Sequence, residues 1–140
     1  MKKFLMLLLP LAMVFSSCTK EPGEGGRGEI QGRIIAQNYN NTSTGLAYGD
    51  PYPFPEHRVY IIYGDGEFHD DDVRTGHDGR YRFNGLRRGS YRIYVVSELY
   101  RSLSEPDGSE IIERTVEITE KDEVIEIEDL LVKRYRSWQN

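Results

Sequence analysis

The fold is decided by the stretch Asp78-Gly79-Arg80-Tyr81-Arg82-Phe83-Asn84-Gly85-Leu86-Arg87-Arg88-Gly89-Ser90-Tyr91. Asp78-Gly79 is a dipeptide that accepts positive φ angles and so reverses the chain. Tyr81 and Phe83 then alternate with polar residues, which is the period of a strand with one buried face. After a second short turn, another alternating run begins at Tyr91. The stretch therefore predicts two consecutive strands joined by a tight turn.

Further alternating runs lie on both sides of this stretch. Strands are predicted over residues 29–36, 58–63, 67–75, 80–84, 91–97, 111–119 and 124–132. The run 67–75 carries several Asp residues and is predicted to be an edge strand, since edge charges hinder pairing with other chains. No helical stretch is evident in the mature chain. The pattern predicts an all-β fold, a seven-stranded antiparallel Greek-key β-sandwich over residues 29–133.

The start of the chain has the layout of an export signal. Lys2 and Lys3 precede an apolar run over residues 4–15, which is too short to span a bilayer as a helix. Phe15-Ser16-Ser17-Cys18 follows and resembles a bacterial lipoprotein lipobox, with Phe15 where Leu is more usual. The resemblance implies that residues 1–17 are a signal peptide and that Cys18 carries fatty acids such as palmitate. The alternative is an ordinary signal peptide with an incidental cysteine.

The composition of the mature chain limits its partners. Removal of Lys2 and Lys3 with the signal peptide leaves 16 basic and 23 acidic residues, a net charge of −7. This charge argues against nucleic acid as a partner, because nucleic-acid binding depends on neutralising phosphates. With a single cysteine, no internal disulfide is possible. Residues 18–28 are predicted to be a lipid anchor and flexible tether, and residues 134–140 a C-terminal tail.

A long insertion, residues 37–56, carries an unusual number of aromatic residues. Long loops without their own secondary structure are uncommon in compact domains and are often functional. The aromatic residues either pack on one end of the sandwich or form a contact surface for a protein or a glycan. The candidate contact residues are Tyr39, Tyr48, Tyr52 and Phe54.

The chain resembles the carboxypeptidase-regulatory-like, transthyretin-like superfamily. The family pattern T-D-x-x-G-x-Y-x-F-x-x-L-x-x-G-x-Y-x-V is matched by Thr75, Asp78, Gly79, Tyr81, Phe83, Leu86, Gly89, Tyr91 and Ile93 or Val95. The resemblance implies a prealbumin-like sandwich that acts as an accessory or binding module and not as an enzyme. The insertion at residues 37–56 departs from the compact form of these domains.

Two charged clusters are candidate binding sites. His69 and His77 flank the acidic run Asp70, Asp71 and Asp72. The group could bind Ca²⁺ if oxygens dominate or Zn²⁺ if the histidines converge, although no known loop spacing is matched. Solvated edge charge is the alternative for these residues. A basic cluster able to meet an anionic partner is predicted at Arg80, Arg82, Arg87, Arg88 and Arg92. Pairing of these arginines with acids on neighbouring strands is the alternative.

The residue patterns of the common enzyme classes are missing. The sequence contains no G-x-S-x-G, and its one cysteine lies in the predicted anchor. The sequence therefore predicts a non-catalytic protein-interaction or accessory module without a cofactor, anchored by lipid to the bacterial cell envelope, at its outer membrane. The predicted partners are the membrane and an unidentified envelope protein or glycan. The alternative is a glycan- or calcium-binding surface lipoprotein.

Overall fold

The computed structural model of the chain describes residues 21–40, 45–99 and 108–136. The predicted signal peptide and Cys18 lie outside these ranges. The described residues form nine strands: β1 (Glu24–Asn40), β2 (Ala47–Pro53), β3 (Arg58–Tyr63), β4 (Asp71–Arg74), β5 (Arg80–Leu86), β6 (Gly89–Leu99), β7 (Gly108–Ile118), β8 (Val124–Glu126) and β9 (Leu130–Arg136). Across these three ranges, no helix is long and apolar enough to cross a membrane.

β1 is the central strand of a five-stranded sheet. Its first half pairs antiparallel with β5 on one edge and parallel with β8 on the other. Its second half pairs antiparallel with β2 and parallel with β9. Both edges of one long strand are thus occupied along most of its length.

The second sheet has four antiparallel strands in the order β4-β3-β6-β7. Its registers place Tyr60 opposite Tyr94 and Val96 opposite Ile111. Side chains alternate between the two faces of a strand, so these four residues share the outer face of this sheet. Their sequence neighbours Val59 and Val95 are fully buried on the inner face.

The hydrophobic core lies between the two sheets. The first sheet contributes Ile30, Ile34, Tyr81 and Phe83, and the second contributes Ile61, Tyr91, Ile93 and Ile118. Burial of one such aliphatic side chain stabilises the fold by roughly 1.5–3 kcal/mol. The all-β sandwich predicted from the sequence is therefore confirmed, with nine strands in place of seven.

The start of the domain differs from the predicted boundary. Residues 24–28, which were predicted to belong to a flexible tether, lie in β1. Glycine makes this possible: a Cβ at Gly26 would come within 2.0 Å of the Leu86 carbonyl oxygen. Because these glycines carry no side chains, no apolar alternation marked the segment as a strand.

Three other predicted elements also differ from the structure. The insertion 37–56, predicted as a loop, contains β2, which forms a hairpin with β1. The strand predicted over residues 124–132 is divided into β8 and β9, and both run parallel to β1. The predicted tail begins inside β9, which continues to Arg136.

Candidate functional site

The outer face of the four-stranded sheet carries a group of aromatic side chains. The rings of Tyr60 and Tyr94 stack with their centroids 4.8 Å apart and their planes at 12°. His69, from the connection between β3 and β4, lies 4.9 Å from the Tyr60 ring, and its Nδ1 is 3.4 Å from the Tyr94 hydroxyl. Burial raises the pKa of Tyr94, and the neighbouring Tyr60 raises it further. Tyr94 is therefore a neutral hydrogen-bonding group at physiological pH.

Apolar side chains extend this aromatic group toward the sheet edge. Ile111 on the edge strand β7 is 66% exposed, and its cross-strand partner Val96 is 38% exposed. Phe68, in the residue before His69, is 80% exposed. We refer to Tyr60, Tyr94, Val96 and Ile111 together as the tyrosine face.

Two ion pairs border the tyrosine face. Arg58 Nη1 lies 3.1 Å from Asp72 Oδ1 on the β4 side, and Arg92 Nη1 lies 3.9 Å from Glu113 Oε2 on the β7 side. Arg92 also donates a hydrogen bond to the Gly66 carbonyl. The surface thus has aromatic and aliphatic side chains at its centre and charged groups at its rim, which is the arrangement of protein-binding surfaces.

The outer face of the five-stranded sheet is different in character. Four ion pairs lie across it: Arg27–Asp122, Arg33–Asp129, Arg80–Glu126 and Arg82–Glu29. Exposed pairs of this kind contribute at most about 1 kcal/mol each. They keep this face hydrated, in contrast to the tyrosine face.

The aromatic residues predicted as a contact surface do not form an exposed row. Tyr52 and Phe54 are half-buried and pack against the core, with their centroids 6.4 Å apart. Tyr39 instead packs against Tyr135 on β9, at 5.5 Å. Tyr48 is half-buried on β2. Tyr52 and Phe54 therefore pack on one end of the sandwich, which was the first of the two alternatives for this insertion.

His57 is enclosed next to this aromatic group. The His57 ring stacks on the Phe54 ring with centroids 4.6 Å apart. The Arg134 guanidinium lies 5.0 Å from the centroid of the same Phe54 ring. Burial lowers the pKa of the His57 imidazole below its ordinary value, a hydrogen bond to the Val96 backbone opposes this, and the charge of Arg134 lowers the pKa further. His57 is therefore a neutral, structural histidine near pH 7.

The five predicted arginines lie on three different surfaces. Arg80 and Arg82 are on the outer face of the five-stranded sheet, where they pair with Glu126 and Glu29. Arg92 borders the tyrosine face. The remaining two, Arg87 and Arg88, lie at the turn between β5 and β6. The five residues are thus not gathered on one surface, and pairing with acids on neighbouring strands, the alternative, describes Arg80, Arg82 and Arg92.

The predicted acidic cluster does not converge. Asp70 accepts a hydrogen bond from the Tyr63 amide, Asp71 accepts one from the Asp72 amide, and Asp72 pairs with Arg58. His69 belongs to the aromatic group, and His77 is exposed on a turn. Among the residues that the structure describes, no three His, Cys, Asp or Glu side chains are placed to hold a metal ion together.

Sequence reasoning missed the tyrosine face, although its signal was present. β3 and β6 carry apolar or aromatic residues at both alternating positions, which indicates that their outer faces are unusually apolar. The pairing of Tyr60 with Tyr94, however, depends on the register between two strands, and these two residues are 34 positions apart in sequence. That register is a tertiary property.

Comparison with known proteins adds little beyond the fold class. No family model and no curated protein sequence matches the chain. A crystal structure from Pseudomonas aeruginosa, described as a "putative carbohydrate binding protein", superposes with a TM-score of 0.46 at 12% identity and covers 80% of this chain and 91% of its own. A crystal structure of (S)-allantoin synthase superposes with a TM-score of 0.40 at 18% identity, covering 74% of this chain and 41% of its own. At these scores neither similarity indicates a function, and the family resemblance stays a prediction.

Proposed function

We propose that this chain is a non-catalytic protein-interaction module of the bacterial cell envelope, held at the membrane by a lipid on Cys18, and that it binds its partner through the tyrosine face. The observation that carries the proposal is the stacked Tyr60–Tyr94 pair beside the exposed Val96–Ile111 pair. Tyrosine and arginine are enriched in the residues that dominate binding energy at protein interfaces.

The sheet geometry supports a protein partner. The tyrosine face lies on strands whose backbones are hydrogen-bonded to one another, so their backbone is already ordered before a partner binds. Rigid aromatic side chains on such a support lose little conformational entropy when a partner binds. The bordering Arg58–Asp72 and Arg92–Glu113 pairs provide charges at the rim, where they favour orientation more than affinity.

The open shape of the face supports binding over catalysis. Catalytic groups act in sites that exclude water, where positioned charges are strong. The acids nearest to the tyrosines, Asp72 and Glu113, are paired with arginines on an exposed sheet surface. Hydrated carboxylates paired in this way are suited to recognition at the rim of a binding surface.

A capture experiment with matched variants tests this function. The soluble chain from residue 21 onward is immobilised and exposed to envelope extract of the source bacterium. Tyr94→Thr/Ile111→Lys keeps β-compatible residues while it removes the aromatic and apolar character of the face. We expect roughly tenfold less retained partner, the equivalent of about 1.4 kcal/mol. Leu131→Lys, at a 43% exposed position on the other sheet, should retain the wild-type amount. Equal retention by all three proteins would place the binding surface elsewhere.

A glycan partner is the second candidate, favoured by one observation. The Tyr94 hydroxyl and the His69 ring form a polar pair between two flanking ion pairs, and such groups suit the hydroxyls of a sugar. A glycan array with the same three proteins separates the two candidates. Binding to an oligosaccharide that Tyr94→Thr/Ile111→Lys loses, together with no captured protein, would favour the glycan.

A further inference from the structure

One end of the sandwich contains an open groove with basic walls. The groove has a volume of about 1010 Å³ and lies between the start of β1, the β5–β6 turn and the end of β7. Its charged lining residues are Arg27, Arg87, Arg88 and Lys121 against Glu21 and Glu117. Arg27 forms an ion pair with Asp122 at 2.7 Å, so the positive charge of the lining comes from Arg87, Arg88 and Lys121. The lining thus has a net positive charge, although the mature chain has a predicted net charge of −7.

The chain is fixed in place where it enters this groove. The Gly23 amide donates to the Tyr91 hydroxyl at 2.9 Å, and the Gly23 carbonyl accepts from the Arg87 amide at 2.8 Å. The Glu21 carbonyl accepts from Arg87 Nη1 at 3.2 Å. The Pro22 ring lies so close to Gly89 that a Cβ there would approach it to 2.5 Å. These contacts make residues 21–23 part of the folded domain.

The spacing between this fixed point and the predicted anchor is short. Cys18 precedes Glu21 by three residues. Whatever conformation the chain takes, three residues span at most roughly 11 Å, since an extended chain covers about 3.6 Å per residue. A lipid on Cys18 would therefore hold the groove within the depth of the headgroup layer or directly above it.

We propose that this end of the domain rests on the membrane, with the basic groove in contact with the phosphates of phospholipid headgroups. The inference rests on the proposed lipidation of Cys18. Arg88 and Lys121 are exposed at the mouth of the groove and provide the charge complementarity. The long axis of β1 then points away from the membrane, so the hairpin of β1 and β2 lies at the end of the domain far from the membrane.

The same orientation requires the anchor. The mature chain as a whole is acidic, so Arg87, Arg88 and Lys121 are too few to draw the free protein to an anionic surface. Held by a lipid, however, the groove meets the headgroups at high effective concentration. Contact between groove and phosphate is thus expected only for the anchored protein.

Tryptophan quenching on vesicles tests the orientation. The chain 18–140 is coupled through the thiol of Cys18, its single cysteine, to a maleimide lipid in vesicles of phosphatidylcholine and phosphatidylglycerol that carry a headgroup spin label. Trp138, the single tryptophan, is replaced by Phe, and a reporter is placed by Glu120→Trp beside the groove or by Leu46→Trp at the opposite end. Leu46 is next to Asn40 at the far end of β1. We expect most of the fluorescence to be lost for the Glu120→Trp reporter and almost none for the Leu46→Trp reporter.

A charge-reversal pair tests the phosphate contact. Arg88→Glu in the groove should restore much of the fluorescence of the Glu120→Trp reporter, while Arg74→Glu, at an exposed position on β4, should not. Equal quenching of both reporters would overturn the orientation, and an unchanged signal with Arg88→Glu would overturn the headgroup contact. Lipidation is tested separately, by labelling the full chain in cells with an alkyne fatty acid and comparing it with Cys18→Ser. Because thiol coupling bypasses cellular lipidation, the two failures are distinguishable.

Discussion

Tyr91 joins two parts of the chain that are far apart in sequence. Its side chain is fully buried, and its hydroxyl accepts a hydrogen bond from the Gly23 amide at 2.9 Å while donating one to the Arg87 carbonyl at 2.7 Å. The ring of Tyr91 belongs to the hydrophobic core, and its hydroxyl holds the first residues of the domain, at Gly23, in place. A single residue thus links the core to the end of the domain that carries the groove.

Removal of this hydroxyl is predicted to destabilise the domain. Tyr91→Phe leaves the buried Gly23 amide and the part-buried Arg87 carbonyl without their partner, which costs about 1–3 kcal/mol. Tyr94→Phe is the matched control on the outer face of the same strand, where a change within about 0.5 kcal/mol is expected. Urea denaturation of the soluble chain measures both values. A Tyr91→Phe variant as stable as the wild type would show that the hydroxyl contacts contribute nothing.

His57 makes the stability of the domain dependent on pH. Burial holds the pKa of its imidazole below the ordinary value of 6.5, so the folded state disfavours protonation. As the pH falls, the imidazole of the unfolded chain is protonated before that of the folded chain. The contribution of His57 to the free energy of unfolding is therefore complete above about pH 6.5 and decreases as the pH falls toward the folded pKa. Urea midpoints between pH 8 and pH 5 should therefore fall more for the wild type than for His57→Gln. The exposed-site variant His77→Gln should follow the wild type, and parallel curves for all three proteins would contradict this role of His57.

At the scale of the elements, the alternation of apolar and polar residues predicted most of the strands but not the register in which they pair. β3, β5 and β6 follow the period of two and were predicted close to their observed positions. The glycine-rich start of β1 has no side-chain alternation, and the parallel pairing of β8 and β9 with β1 joins residues about 95 positions apart. Local patterns carry no information on such distant pairing. For the same reason the candidate site, which depends on the register of β3, β6 and β7, was not predicted.

The glycine after Asp78 is predicted to be essential for the turn that precedes β5. Gly79 has a φ of 75°, and a Cβ there would lie 2.5 Å from the Ile34 carbonyl oxygen. Gly79→Ala should therefore destabilise by about 2–4 kcal/mol, from backbone strain and the clash together. Gly85 is a matched control, with a φ of 71° and nothing within 4 Å of a Cβ, so Gly85→Ala should cost only about 1 kcal/mol. Equal losses in thermal unfolding would show that the close approach is unimportant.

The corrected start of β1 leads to a truncation experiment. A chain that begins at Glu29 lacks the contacts of Gly23 with Tyr91 and Arg87 and part of the pairing between β1 and β5. We expect it to be at least about 2 kcal/mol less stable than a chain that begins at Glu21. Calorimetry of the two proteins provides the comparison. Identical melting temperatures would restore the predicted boundary at residue 29.

At the scale of the whole molecule, the two outer faces have separate chemistry. Ion pairs such as Arg33–Asp129 lie across the five-stranded sheet, beside the exposed Val124 and Leu131. The four-stranded sheet instead groups a stacked tyrosine pair with the exposed Val96 and Ile111. With the groove end placed on the membrane, the tyrosine face would stand upright and open to proteins in the surrounding space. The proposed anchor and the proposed binding surface are thus compatible in one arrangement.

Site-specific photocrosslinking tests the binding surface most directly. A benzoylphenylalanine is placed at Ile111 on the tyrosine face or at Leu131 on the other sheet, two exposed aliphatic positions. The proteins are irradiated in envelope extract, and adducts are resolved by mass. The account predicts a discrete protein adduct from position 111 and none from position 131. Adducts from position 131 alone, or from neither position, would contradict the proposal that this face binds a protein partner.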